Sequence, residues 1–344
     1  MAIFTHNQFK LFFACQFALL LATTALAQAP DARFTPSDNY VMDAGFFKLP
    51  PGRKLGATSG LGIHPDGSTF WVFDRCGGND CHGSDLAPIM AFDREGNHLI
   101  SFGANMFQRP HGLYVDVDGN VWVTDDVGPG EIDTAQEGKG HQVFKFSPTG
   151  ELLMTLGKPG IAGDGPDTFN MPSAVQIAPN GDIFVGDGHG PGSNARIVKF
   201  NSNGEYLMTW GSFGRGAHQF HTPHALAMDS AGRLFVGDRD NNRVLIFDQS
   251  GNLLDQWTQF GRPSGMFIDA NDMLYVADTS STPQSNPGFE EGVRVGSVTD
   301  GAITAFIEDP DEDGTAEGIV ADRDGTIYVS LTSGMALRKY SLKK

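Results

Sequence analysis

One short pattern is written six times along this 344-residue chain. Its clearest copy is RPHGLYVDVDGNVWVTD at residues 109–125, where a Pro-His pair leads into an alternating run, a D-G-N turn follows, and a second alternating run ends in Asp. Two such runs joined by a tight turn predict a β-hairpin. The copies begin at Ser59, His111, Ser173, His224, Ser264 and Glu317, and the turn residue falls eight later every time, at Gly67, Gly119, Gly181, Gly232, Asp272 and Gly325. The closing Asp falls 14 later in four copies, as Asp125, Asp187, Asp238 and Asp278; Asp74 is displaced by one residue and the sixth copy has Leu331. Each copy continues into a third run, and the first five into a fourth, such as HLISFG, ELLMTLG and EYLMTWG. Four antiparallel strands recurring radially predict an all-β fold, a six-bladed β-propeller over residues 39–344. The sixth copy stops after its third run, so a strand within 40–49 is expected to complete the last sheet. Without it the ring would expose an edge strand.

Ahead of the repeats, residues 1–27 have the order of a secretory signal: Lys10, then an apolar stretch over 11–26, then Ala25-Leu26-Ala27 as a small-x-small cleavage site. The apolar run is too short and interrupted to be preferred as a transmembrane anchor. Residues 28–38 are polar and Pro-containing, and a flexible lead-in is expected there. An exported protein, periplasmic or secreted, follows from this reading. The formal net charge of −17, one unit more negative once Lys10 is removed, argues against nucleic acid or an anionic membrane as partner. A monomer is expected. Cys15 leaves with the leader, and Cys76 and Cys81 in RCGGNDC then most simply form one small-loop disulfide. A zinc site there would want more thiolates nearby.

The repeats differ mainly in their insertions, at 76–88, 126–140, 157–170, 188–195 and 279–291, which are rich in Gly, Pro, Asp and Asn and read as loops able to carry recognition. Six equivalent first positions around an axis form a ring, and the ring alternates: Ser59, Ser173 and Ser264 on odd blades, His111, His224 and Glu317 on even ones. Three such donors from alternate blades have the layout of a three-ligand zinc site with an open position, and the carboxylate admits other divalent metals. The alternative is that His111 and His224 fill a hydrogen-bonding slot at the head of the inner strand. A second layer follows each V-x-D strand end, with Arg75, His189 and Arg239. An Arg pair beside a metal suits a carboxylate-bearing ligand, small molecule or peptide. Arg239 in DRDNNR also fits a structural blade corner, so the functional reading favours Arg75, and His189 is a candidate general acid or base. His218 and His221 read as loop residues. The chain has no G-x-S-x-G elbow, P-loop or dinucleotide fingerprint.

The repeats resemble NHL repeats. Their order of features is similar to that of the peptidyl-α-hydroxyglycine α-amidating lyase family over roughly residues 56–340, most clearly at RPHGLYVDVDGNVWVTD, GDGHGPGSNARIVKF and TPHALAMDSAGRLFVGDRDNNR. The resemblance implies a six-bladed propeller in which zinc is held by three histidines on alternate blades. It places that set at His111, His224 and Glu317, the last standing where the family has histidine. It implies substrate-binding arginines at Arg75 and Arg239 and puts the family's active-site tyrosine at His189. It also implies calcium, but Gly318 replaces the Asp that binds it, leaving main-chain carbonyls near Leu61 and Leu113.

Three functions are compatible with these residues. The first is a secreted metal-dependent lyase that breaks a carbinol C–N or C–O bond, with Arg75 and Arg239 on a carboxylate and His189 moving a proton. The others are a non-catalytic propeller binding a ligand or protein through its loops, and a hydrolase using metal-bound water.

Overall fold

The computed structural model describes residues 31, 33–127, 138–310 and 315–343. The signal-like segment at 1–27 lies outside them. The described residues form six four-stranded antiparallel sheets, as the repeat register requires. The first strands are Thr58–Ile63, Pro110–Val115, Pro172–Ile177, Pro223–Met228, Pro263–Ile268 and Ala316–Ala321. They line one central channel of about 470 Å³, which identifies them as the innermost strands of six blades. The fourth strands lie at the rim and turn alternate side chains to solvent, as at Leu99, Leu153 and Leu207.

The last blade closes as the sequence predicts. Tyr40–Asp43 pairs antiparallel with Leu337–Leu342, Tyr40 opposite Leu342 and Asp43 opposite Lys339. The described part of the expected flexible lead-in does not hang free. The Ser37 amide donates to Phe306 O at 2.7 Å, and the Phe34 ring lies 5.1 Å from Phe289. It is anchored because Phe34 finds an aromatic partner and the backbone a carbonyl on the fifth sheet.

Apolar layers between neighbouring sheets hold the blades together. Phe73, Phe107, Phe144 and Phe146 pack between blades one and two, and Phe184, Phe220 and Phe247 between blades three and four. The closing Asp of the first five repeats is a lock rather than a catalytic group. Asp125 accepts the Gln108 and Arg109 amides, and Asp238 accepts the His221 and Thr222 amides. Four of these buried carboxylates also pair with arginine: Asp74 with Arg53, Asp187 with Arg196, Asp238 with Arg243 and Asp278 with Arg294. Burial raises Asp125, the one without an arginine, to about 7.

Candidate metal centre and active site

In every blade the ladder between first and second strands slips at the ring position. The register breaks between Thr58 and Gly60, Pro110 and Leu113, Pro172 and Ala174, Pro223 and Ala225, Pro263 and Gly265, and Ala316 and Gly318. A bulge re-aims the side chain it carries. Here it turns Ser59, His111, Ser173, His224, Ser264 and Glu317 toward the hub, where all six line the head of the channel.

Four donors converge there. His111, His189, His224 and Glu317 each offer one ligand atom within 4.8 Å of the others. Nε2 of His189 lies 3.2 Å from Nε2 of His111 and 3.1 Å from Nε2 of His224. Glu317 Oε1 lies 3.5 Å from His111 Nε2 and 3.1 Å from His224 Nε2.

The outer nitrogens fix the tautomers. His111 Nδ1 lies 2.7 Å from Ser173 O, and His224 Nδ1 lies 2.7 Å from Ser264 O. A carbonyl can only accept, so both Nδ1 atoms carry the proton. His189 Nδ1 lies 2.7 Å from Asp126 Oδ2. Burial alone would raise the Asp126 carboxyl, but Arg109, His189 and His111 outweigh it and hold the group well below the usual range, so it accepts from His189. The hydrogen-bonding slot at the strand heads therefore exists, yet it consumes only Nδ1. In the neutral rings, three Nε2 lone pairs and one carboxylate oxygen then face one another. Burial, then Arg239, lowers His224 to about 4, and burial, then His111, holds His189 well below the usual imidazole value. Glu317 is held low by the imidazoles of His224 and His111 against the opposing effect of burial. Such a set suits a divalent cation: ligand distances of about 2.0–2.2 Å place tetrahedral donors roughly 3.3–3.6 Å apart, close to the 3.1–3.5 Å between these neighbouring atoms.

The two arginines are held differently. Arg75 is buried, with Nε donating to Pro110 O at 2.9 Å and Nη1 to Asn79 Oδ1 at 3.0 Å. Burial, then Arg109, lowers it to about 10, so it stays charged at neutral pH. The Cys76–Cys81 disulfide closes the loop that presents Asn79. The blade corner assigned to Arg239 is made by Arg243, which holds Asp238 at 2.8 Å and reaches the Arg215, Gly216 and Gln219 carbonyls. Arg239 makes no hydrogen bond through its guanidinium among the described residues. Its Nε is 3.6 Å from Asp240, a carboxylate already held by Arg262 and Thr222.

The NHL repeat family model matches residues 107–132 and 220–247, the two blades that supply His111 and His224. A Xenopus laevis protein named peptidyl-glycine alpha-amidating monooxygenase B is 34% identical over 85% of this chain and 34% of its own length. A probable peptidyl-alpha-hydroxyglycine alpha-amidating lyase from Caenorhabditis elegans is 31% identical over 56% of this chain and 55% of its own. This chain is an NHL-repeat propeller that resembles the amidating lyases. The human NHL repeat-containing protein 3 is 34% identical over 46% of this chain, and that match covers 44% of its length. The chain therefore spans about half or less of the length of these relatives. The fold recurs in virginiamycin B lyase from Staphylococcus aureus, with TM-score 0.56 and 15% identity over 88% of this chain and all of that one. It recurs in a gluconolactonase from Xanthomonas campestris, with TM-score 0.58 and 16% identity over 84% of this chain and 87% of that one.

In this NHL propeller, His111, His224 and Glu317 meet where the ring predicted. His189 does not stand apart as a proton carrier, because one ring nitrogen is tied to Asp126 and the other faces the histidines. Asp126 and Arg109 are additions the motif reading missed. Asp126 follows Asp125 as Arg75 follows Asp74 and Arg239 follows Asp238, so the second-layer register could have found it. His221 packs on Phe213 and His218 against Phe247, both away from the hub. Leu61 and Leu113 line the channel below the hub. At Gly318 a Cβ would meet Ser330 Oγ at 2.5 Å and Leu61 N at 2.8 Å, so the missing Asp has no room. Main-chain carbonyls alone fit poorly an ion that takes six to eight oxygens, and no calcium role is assigned.

Proposed function

We propose that the protein is a metal-dependent lyase of the amidating-lyase type, acting on a carbinolamide that carries a carboxylate. The observation that carries this reading is the convergence of imidazole Nε2 atoms and Glu317 Oε1 at the hub, each histidine fixed by an acceptor behind its Nδ1. His111, His224 and Glu317 would hold a divalent metal, zinc or another first-row ion, and that ion supplies Lewis acidity toward the substrate hydroxyl. Arg239, which makes no guanidinium hydrogen bond among the described residues and only a 3.6 Å contact with Asp240, holds the substrate carboxylate through paired N–H donors. Arg75, anchored on Pro110 and Asn79, adds positive charge from the opposite blade and sets the electrostatic floor of the pocket. The bookkeeping is neutral: the hydroxyl proton is lost as a carbonyl forms, the C–N bond breaks, and the leaving nitrogen gains a proton. His189 holds the hub in this scheme and carries no proton. The likeness to relatives named as an alpha-amidating monooxygenase and a probable alpha-amidating lyase supports the reaction class.

Three further points belong to the same reading: the substrate is a small molecule or peptide with neither nucleic acid nor membrane as partner, the chain is exported, and it works as a monomer. Among the described residues no helix is long and apolar enough to cross a membrane. The test is glyoxylate release from α-hydroxyhippurate by the metal-loaded protein, run beside ester and lactone hydrolysis. Glyoxylate release abolished by His111→Ala and His224→Ala supports a lyase. Ester or lactone turnover without glyoxylate moves the site to a hydrolase, and no turnover of either points to a binding propeller.

A further inference from the structure

Three of the four hub donors stand on inner strands, but His189 arrives from elsewhere. It lies on the loop after the second strand of blade three, and that loop is built to return it to the axis. Gly188 has φ 146°, and a Cβ there would lie 1.9 Å from Asn194 O. Only glycine permits that turn without displacing the backbone. The loop is braced by Ser193 Oγ donating to Gly190 O at 2.7 Å and by Asn194 Nδ2 donating to Asp187 Oδ2 at 2.7 Å. Behind the ring, Asp126 Oδ2 receives His189 Nδ1 at 2.7 Å and Arg109 Nη1 at 2.8 Å. Among the described residues Asp126 Oδ1 is buried with no partner, and Oδ2 carries the contacts to both His189 and Arg109. Arg109 itself directly precedes Pro110 and His111. Blade two thus supplies one hub donor and also the support for the donor of blade three. A ligating histidine whose far nitrogen is held by a carboxylate is the usual arrangement at protein metal sites.

We propose that His189, oriented by the Asp126–Arg109 pair, is a fourth metal ligand, so that the hub is a three-nitrogen, one-oxygen centre. This deepens the reading above and rests on it for the presence of a metal. A hydrogen-bonded cluster is the alternative, and the geometry disfavours it. His189 Nε2 faces His111 Nε2 and His224 Nε2 at almost equal distances, while all three Nδ1 atoms are occupied. One proton can bridge one nitrogen pair only, whereas a cation satisfies all of them. The donor number has a consequence for the ion. Four protein ligands saturate a tetrahedral centre, whereas an ion that takes five or six, of the manganese, iron, cobalt or nickel class, would keep a position for the substrate hydroxyl.

The test is to strip the purified chain, reload it with Mn(II) or Co(II), and count coordinated imidazoles by pulsed electron paramagnetic resonance while measuring affinity by chelator competition. Three coupled imidazoles are expected for wild type and two for His189→Ala and His189→Gln. Co(II) affinity should fall about 10- to 100-fold in Asp126→Asn, whose supporting carboxylate is lost. Circular dichroism of the metal-free variants guards against unfolding, and His189→Gln preserves the size of the side chain. An unchanged imidazole count and affinity in both His189 variants would overturn the proposal while leaving a metal-bound hub intact. A wild type that takes up neither ion overturns this proposal and the metal reading together. Three imidazoles in a protein that releases no glyoxylate uphold the ligand and sink only the reaction assigned above.

Discussion

Asp126 Oδ2 stands 2.7 Å from His189 Nδ1 and 2.8 Å from Arg109 Nη1, in a position closed to solvent. Two side chains from adjacent blades are thereby tied to one carboxylate at the head of the channel. Removing the carboxylate should cost more than a surface ion pair would. Asp126→Ala leaves the Arg109 charge largely buried without its partner, and we expect a loss of about 3–5 kcal/mol in unfolding free energy. Denaturant melts of the metal-free protein check this figure, and a loss below about 1 kcal/mol, the value of an exposed pair, would contradict it.

Arg239 and Arg243 sit four residues apart and should respond in opposite ways. Arg243→Ala strips Asp238 of its buried partner, so a loss of several kcal/mol in stability is expected. Arg239→Ala breaks no hydrogen bond and should leave the melting temperature within about 2 °C of wild type, because its stability effect stays within about 0.5 kcal/mol. Its effect should fall instead on KM for a carboxylate substrate, raised roughly 10- to 100-fold by loss of a charge-assisted bidentate contact. Steady-state kinetics on α-hydroxyhippurate beside its amide analogue separate the two roles.

In the metal-free protein His224 should contribute a loss of stability between pH 6.5 and 4, against which the raised buried carboxylates Asp125, Asp187 and Asp278 act in the opposite sense. His224 is depressed from 6.5 to about 4 by burial and Arg239, so in this interval the unfolded chain binds a proton that the folded chain refuses. Stability from this group is therefore present above pH 6.5 and falls away as pH drops toward 4. Thermal melts from pH 7 to 4 should show a shallower decline in His224→Gln than in wild type. An identical slope would show that His224 does not titrate as its surroundings dictate.

Much of this molecule is written in its repeat register, and the exceptions have physical causes. Six heads at one offset from six turns are enough to place six blades, and the shortfall of the last copy points to the closing strand at Tyr40–Asp43. His111, His224 and Glu317 were legible because a bulge at one repeating position aims every ring residue inward. His189 was visible as a residue but not as a member of the hub, since loop path rather than strand register carries it there. Its enabling signal, Gly188 with φ 146°, is a backbone angle that spacing does not encode. Which arginine of DRDNNR fills the blade corner is not legible in the sequence, because the segment holds two candidates and only packing decides that Arg243 does. Asp126 was overlooked because an acidic residue at a position otherwise read for arginine signals nothing until its partners are seen.

The Cys76–Cys81 bond should matter to the pocket as well as to stability. Its closed loop of six residues is worth roughly 2 kcal/mol on loop-closure grounds. Replacing both cysteines by serine also releases Asn79 from Arg75 Nη1, now 3.0 Å apart. We expect a melting-temperature loss of several degrees accompanied by weaker carboxylate binding, read by competition with a dicarboxylate inhibitor of turnover. Unchanged binding in the serine variant would remove the loop from the site.

The central claim is that one ion is shared by groups from three separate blades and one loop. Elemental analysis of the purified wild type beside the His111→Ala/His224→Ala variant tests it most directly. One equivalent of a divalent first-row metal in wild type, lost in the double variant while both keep the same strand content, is the predicted result. A wild type that is metal-free after purification and stays so on incubation with Mn(II), Co(II) or Zn(II) would contradict it.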